Sequence, residues 1–371
     1  YRNGATSGWD ATHDVLVSGL KIGMSSLGWV PMSGLMIDAY DLGTQRLFNW
    51  LLSPDADALA RDLMGPRMLR GGRSSTLQRS SFDPNDVVGP AGYGPLRFVA
   101  DDQTLLYTIR FENAATATAP AQIVMVTQTL DGSLDWASFE LAEFGFGENR
   151  VEAPPGRKSY SAIVDVYDTL TVVARITASL NLSTGVASWR FVSLDPGTGD
   201  LPEDPLLGFL PPNAPAPLGE GFVSYRLRAR EPVTTGTRIE AWARIFFDEN
   251  PFIDTPVISH TLDAGAPMSA ISPLPPTSPQ RFMLGWTAAD DAGGSGVAGV
   301  DVYASVDGGP FDLWQSGLTT TVEYEGEVGS TVAFLTVAHD NVGHTQSMPA
   351  GAQMVTTLRP FGQAWLPRVL R

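Results

Sequence analysis

Aspartate and asparagine side chains gather in short groups along the chain: Asp83/Asn85/Asp86, Asp248/Asn250/Asp254, Asp290/Asp291 with Asp301, and Asp340/Asn341. Each group falls at the expected end of a strand. Hard oxygen donors at this density point to calcium, which takes about six to eight oxygens and tolerates irregular geometry. None of the groups has the spacing of an EF-hand loop. The competing expectation is turn chemistry, in which Asp and Asn bond their own backbone and close a turn. For each group alone, turn chemistry is favoured. Calcium is the one cofactor to which the set as a whole points.

Other chemistry has less to work with. The histidines are His13, His260, His339 and His344. Only the last two are close in sequence, and a zinc site would need a carboxylate or third imidazole brought in by the fold. Surface or turn positions are expected for them. No G-x-S-x-G, P-loop or HExxH motif occurs, so no catalytic residue is assigned and a non-enzyme is expected. Trp136, Trp189, Trp242, Trp286 and Trp314 allow a sugar-stacking platform, but sandwich cores also use tryptophan, and core positions are expected.

Composition narrows the partners. The net charge of -16 disfavours nucleic acid and anionic membrane surfaces. Cysteine is absent, which removes disulfides, thiolate metal sites and cysteine nucleophiles together. Lys21 and Lys158 are the only lysines, so an internal isopeptide staple would have to use one of them. With 43% hydrophobic and 17% charged residues over 371 positions, the chain can build two or three cores. Nothing at Tyr1 has the pattern of a signal peptide, so the chain is expected to begin downstream of one.

These residues need elements to position them. Residues 1–80 are apolar and Gly-rich with helix-like spacing, and a helical N-terminal segment is expected there, with a helix opening at Ser53-Pro54-Asp55. The span from Val15 to Ile37 is interrupted by serines, glycines and Pro31, so a buried hairpin is expected and membrane insertion is not. Residues 81–264 read as strands. Tyr107, Ile109 and Phe111 alternate with Thr108 and Arg110, and Val223, Tyr225 and Leu227 alternate with Ser224, Arg226 and Arg228. Such period-2 patterns put one face in a core and the other in water. The Pro-rich stretch between Asp195 and Gly221 excludes a central strand and is expected to be an ordered arm tied down by Leu206, Leu207, Phe209 and Leu210. Residues 265–280 read as a Pro-rich linker. Residues 281–371 read as a second sandwich with a C-terminal tail strand. The fold class is therefore mainly β, with two antiparallel β-sandwich, Ig-like domains.

Several ordered pieces also resemble a known family: DPND with GPAGYG, YTIRFEN, ATAPAQ, LDGSLDWASFEL, SLDPGTGDLPEDPLLGFLPPN and ARIFFDENPFIDTP. Across roughly residues 81–266 the chain is similar to a β-sandwich domain of uncharacterised function found in large bacterial surface and secreted proteins. The segment DDAGGSGVAGVDVYASVDGG is similar to Ig-like, fibronectin type III-like modules. The resemblance carries no catalytic assignment. It implies an extracellular, cell-surface structural or adhesive protein that self-associates or packs on neighbouring surface-protein domains. Self-assembly through the N-terminal segment and terminal strands is expected, and a filament is one form of it. The alternative is a carbohydrate- or protein-binding accessory module of a larger secreted protein or toxin, with glycans as ligands.

Overall fold

The computed structural model describes residues 68–69 and 85–360. The expected helical N-terminal segment, His13, Asp83 and the tail beyond residue 360 lie outside the described residues, apart from a two-residue strand at Met68–Leu69. The described chain is mainly β, with a single helical turn at Tyr167–Leu170.

Alternation builds the first sandwich. Along Leu105–Glu112, the side chains of Leu105, Tyr107, Ile109 and Phe111 are buried, while Leu106 is exposed. The strand lies between Asp86–Val88 and Glu220–Ala229 in a five-stranded sheet completed by Leu134–Phe146 and Asn149–Glu152. The facing sheet has seven strands. In order they are Met68–Leu69, Ser159–Asp165, Val173–Asn181, Val186–Leu194, Ile123–Thr129, Arg244–Phe247 and Ile253–Asp254. Between the sheets an aromatic stack fills the core: Tyr225 lies against Tyr107, Phe139 and Trp189, with centroids 5.3–5.8 Å apart. A small third sheet joins Arg238–Ala241, Ile258–Asp263 and Phe98–Ala100.

The Leu134–Phe146 strand has no simple period, because its pairing with Glu220–Ala229 shifts register between Val223 and Tyr225 and again between Arg226 and Arg228. Each such irregularity puts residues out of phase with strict alternation. The proline arm is held by Phe209 and Leu210, both fully buried, and by Leu207. Leu206 is exposed and takes no part. Two amides fasten the arm's backbone: Gln122 Nε2 donates to the carbonyls of Pro202, Asp204 and Leu207, and Asn113 Nδ2 donates to Leu210.

The stretch expected as a linker is part of the second sandwich. Met268–Ile271 pairs with Arg281–Ala289, and Thr277–Pro279 pairs with Met354–Arg359. Proline is accommodated because only Pro279 falls within a strand, the three-residue Thr277–Pro279 at a sheet edge, while the other prolines lie in the connections. Arg281–Ala289 also pairs with Thr321–Glu325. The opposing sheet runs Thr277–Pro279, Met354–Arg359, Thr331–Asp340, Val297–Val306, Asp312–Gly317. At the Val306 hairpin, Asp307 and Gly308 both take positive φ (51° and 78°), the geometry that two-residue turns between twisted strands require. Leu284, Trp286, Val302, Phe334 and Leu358 form the core of this unit.

Candidate functional surfaces and the domain junction

Where the two sandwiches meet, polar side chains converge. Asp340 ends its strand, and Oδ1 accepts the backbone N–H groups of Val342, Gly343 and His344 at 2.7–2.9 Å. That turn presents the His344 ring. Its Nδ1 lies 2.9 Å from Asp340 Oδ2, and its Nε2 lies 3.1 Å from Asp101 Oδ1, which belongs to the first sandwich. Burial works to lower the pKa of His344, but the charges of Asp340 and Asp101 and the hydrogen bonds the ring donates to them outweigh it and leave the pKa raised.

Asp263 closes the last strand of the first sandwich and is fully buried. Its Oδ2 accepts the Ser295 N–H at 2.7 Å, its Oδ1 is 3.4 Å from the Gly265 N–H, and its carbonyl accepts the Asp101 N–H. Ser295 and Gly296 are held in turn by Asn341, whose Nδ2 donates to both carbonyls. Asp290 caps its own loop, accepting from Asp291 N–H and Gly296 N–H. Burial raises the pKa of Asp290, the Asp263 and Asp291 charges add to that, and the two N–H bonds oppose it. Oxygens of Asp263, Asp290 and Asp291 lie within 4.8 Å of one another.

The other sequence-predicted donors are engaged separately. Asp86 pairs with the Arg110 guanidinium through both oxygens, and Asn85 Oδ1 accepts the Glu112 N–H. Asp248 Oδ1 accepts the N–H groups of Gln122 and Ile123, and Asn250 N–H closes a turn on Phe247. Asp254 makes a bidentate pair with Arg244, and Asp301 bonds Ser316 and His339. Of the predicted donors, the fold gathers Asp290, Asp291, Asp340 and Asn341 at the junction. Asp263 and Asp101 join them there, although no motif marked either one.

The histidines differ from expectation in one case. His260 is buried in the first sandwich, with Nε2–H donating to the Pro90 carbonyl at 2.7 Å and the Tyr107 hydroxyl near Nδ1. Burial holds its pKa below the ordinary range. The tryptophans divide by strand face. Trp189 and Trp286 are core, Trp136 and Trp314 pack against the two cores, and Trp242 is exposed at 37%. The Arg244 guanidinium stacks on Phe252 at 3.8 Å and approaches Trp242 at 5.7 Å, while Asp254 holds its other edge. Phe246 packs edge-on to Phe252. Parity was the available signal: Trp242 shares its phase with Arg244, and the alternate residues Ala243, Ile245 and Phe247 point inwards.

A groove of about 1640 Å³ crosses the outer face of the five-stranded sheet, lined by Leu106, Arg110, Glu140, Arg150, Phe222 and Arg226 among others. Arg150 covers the Phe222 ring at 4.6 Å. Among the described residues, no helix is long and apolar enough to cross a membrane.

Residues 83–146 match a family model described as a domain of unknown function, DUF7619. No curated protein matches the chain. Among solved structures, a two-domain piece of the major pilin SpaD from Corynebacterium diphtheriae is similar at 11% identity, covering 72% of this chain and 79% of that one, with a TM-score of 0.30. BcpA, the major pilin subunit of Bacillus cereus, is similar at 11% identity over 74% and 68%, with a TM-score of 0.29. The collagen-binding domain of a Staphylococcus aureus adhesin is similar at 9% identity over 49% and 99%, with a TM-score of 0.26.

Proposed function

We propose that this chain is a non-catalytic structural and adhesive module of a bacterial cell surface. The observation that supports it is the clasp between the sandwiches. His344 and Ser295 of the second unit bond Asp101 and Asp263 of the first. Units joined through a polar interface move relative to one another unless specific contacts hold them. A clasp of this kind serves a module that presents surfaces at set positions within a larger assembly. Self-association through the terminal segments and sheet edges is the finer part of the proposal. The Asp312–Gly317 strand ends a sheet and exposes Leu313, and an edge of this kind accepts an added strand.

Negative-stain microscopy and sedimentation of the full chain test this. The expected result is an ordered assembly that is lost on removing residues 1–75 or 361–371. Monomers at every concentration would sink the self-association reading.

A second reading rests on the Trp242–Arg244–Phe252 surface. An exposed indole beside a stacked, carboxylate-anchored guanidinium is suited to sugar rings, which offer an apolar face and polar edges. Saturable binding on a glycan array, abolished by Trp242→Ala, would favour a carbohydrate-binding accessory module.

A further inference from the structure

The last strand of the second sandwich leads away from the first. Thr331–Asp340 ends at the junction, where Asp340 holds the His344 turn. Met354–Arg359 runs antiparallel to it, with Thr357 opposite Thr331, so Arg359 lies at the pole remote from the junction. The ten-residue strand between the poles is about 30 Å long. Residues 361–371 reach at most about 40 Å when fully extended. Running back along their own sandwich uses most of that length before they meet the first one. A second copy is not under this limit.

That stretch is one-sided in composition. FGQAWLPRVLR carries Phe361, Trp365, Leu366, Val369 and Leu370 together with Arg368 and Arg371, and it has no acidic residue. The groove on the outer face of the five-stranded sheet is opposite in charge. Glu140, Glu143, Glu148, Glu152, Asp165 and Asp168 line it and outnumber its arginines. Of those arginines, Arg110 is held by Asp86, and Arg150 lies over Phe222 and donates to the Gly147 and Asn149 carbonyls. Glu143 and Glu152 stand directly opposite one another on paired strands, both exposed. Among the described residues no ion pair reaches either one. Like charges in that position repel, and a cation laid beside them relieves the repulsion. The groove also has apolar surface to cover, with Leu106 and Leu218 exposed in it beside the Phe222 ring.

We propose that this groove receives residues 361–371 of a second copy, so that copies join head to tail. The indole and aliphatic side chains of the tail cover the exposed leucines and Phe222, and its guanidinium groups answer the carboxylates. Donor and acceptor lie on different parts of the chain, so the contact is heterologous and propagates instead of closing a two-fold dimer. The inference rests on the self-association reading and names the surface that takes the tail.

Complementation tests it. Two variants are compared with the full chain by sedimentation. One ends at Pro360 and keeps the groove without the tail. The other, Glu143→Lys with Glu152→Lys, keeps the tail and reverses the charge of the groove. The full chain is expected to assemble and each variant alone to stay monomeric. Their equimolar mixture is expected to stop at a dimer, because one tail and one groove make a single link. A labelled peptide of residues 361–371 should bind the tail-less chain saturably and the charge-reversed chain at least about tenfold more weakly. Circular dichroism checks the fold of the charge-reversed chain, and Glu148→Lys replaces it if the fold is lost. If the full chain assembles but the peptide does not bind, or the charge-reversed chain assembles as the full chain does, this inference fails and the self-association reading stands. A full chain that is monomeric at every concentration overturns both.

Discussion

His344 Nε2 lies 3.1 Å from Asp101 Oδ1, although 243 residues separate the two in sequence. The same ring is held on its other side by Asp340, so one imidazole fastens a turn of the second sandwich to the first. A ring bonded by two carboxylates is most stable when both nitrogens carry protons.

This arrangement predicts a pH dependence. The folded pKa of His344 is raised, so its contribution to stability is full below the unfolded value of about 6.5. It is lost as pH rises through the higher folded value. Denaturant melts from mildly acidic to mildly alkaline pH should show wild type losing stability relative to His344→Gln across that window. A constant difference would show that the ring does not titrate there. The substitution itself should cost about 1 kcal/mol at acidic pH.

Asp340 is a separate test of the same turn. Its carboxylate accepts three backbone N–H groups and is shielded from water. Asp340→Ala leaves those donors without a partner and is expected to destabilise by about 2–4 kcal/mol. Hydrogen exchange should show the loss of protection beginning at Val342, Gly343 and His344. Unchanged protection there would mean that water replaces the carboxylate.

Trp189 lies at the centre of the first core, fully buried against Phe139 and Tyr225. Trp189→Ala should cost about 3–5 kcal/mol, because the stacked rings around it limit how far the cavity can collapse. Chemical denaturation followed by circular dichroism measures this. A loss below about 1 kcal/mol would show a core that repacks freely.

Gly185 turns the chain at positive φ (69°), with the Trp136 ring over it; an added Cβ would sit 2.5 Å from that ring. Gly185→Ala is therefore strained twice, by conformation and by contact, and should lower stability by about 1–3 kcal/mol. Trp136 fluorescence should shift with it, because the ring must move. An unshifted spectrum with unchanged stability would contradict the packing described.

Much of the architecture was legible from period alone. The phases of Tyr107/Ile109/Phe111 and Val223/Tyr225/Leu227 point inwards as read, because an unbroken strand between a core and water admits one pattern. The Leu134–Phe146 strand was not legible as a strand, because register shifts scramble its alternation. The prolines of residues 265–280 read as a linker, yet all but Pro279 fall outside the two short edge strands that pair with the second sandwich.

The candidate site shows the same division. The amino-acid sequence by itself determined the supply of carboxylates, the lack of any thiol, and the sheets that carry the loops. Residue type and local period are properties of neighbouring positions. The tertiary structure alone decided that Asp86 and Asp254 face arginines while Asp290 and Asp291 face another carboxylate. It also decided that Asp263, an ordinary strand-end aspartate in the sequence, is sealed from water beside Ser295. Burial and charge neighbourhood are set by which distant surfaces meet, and no spacing along the chain encodes that meeting.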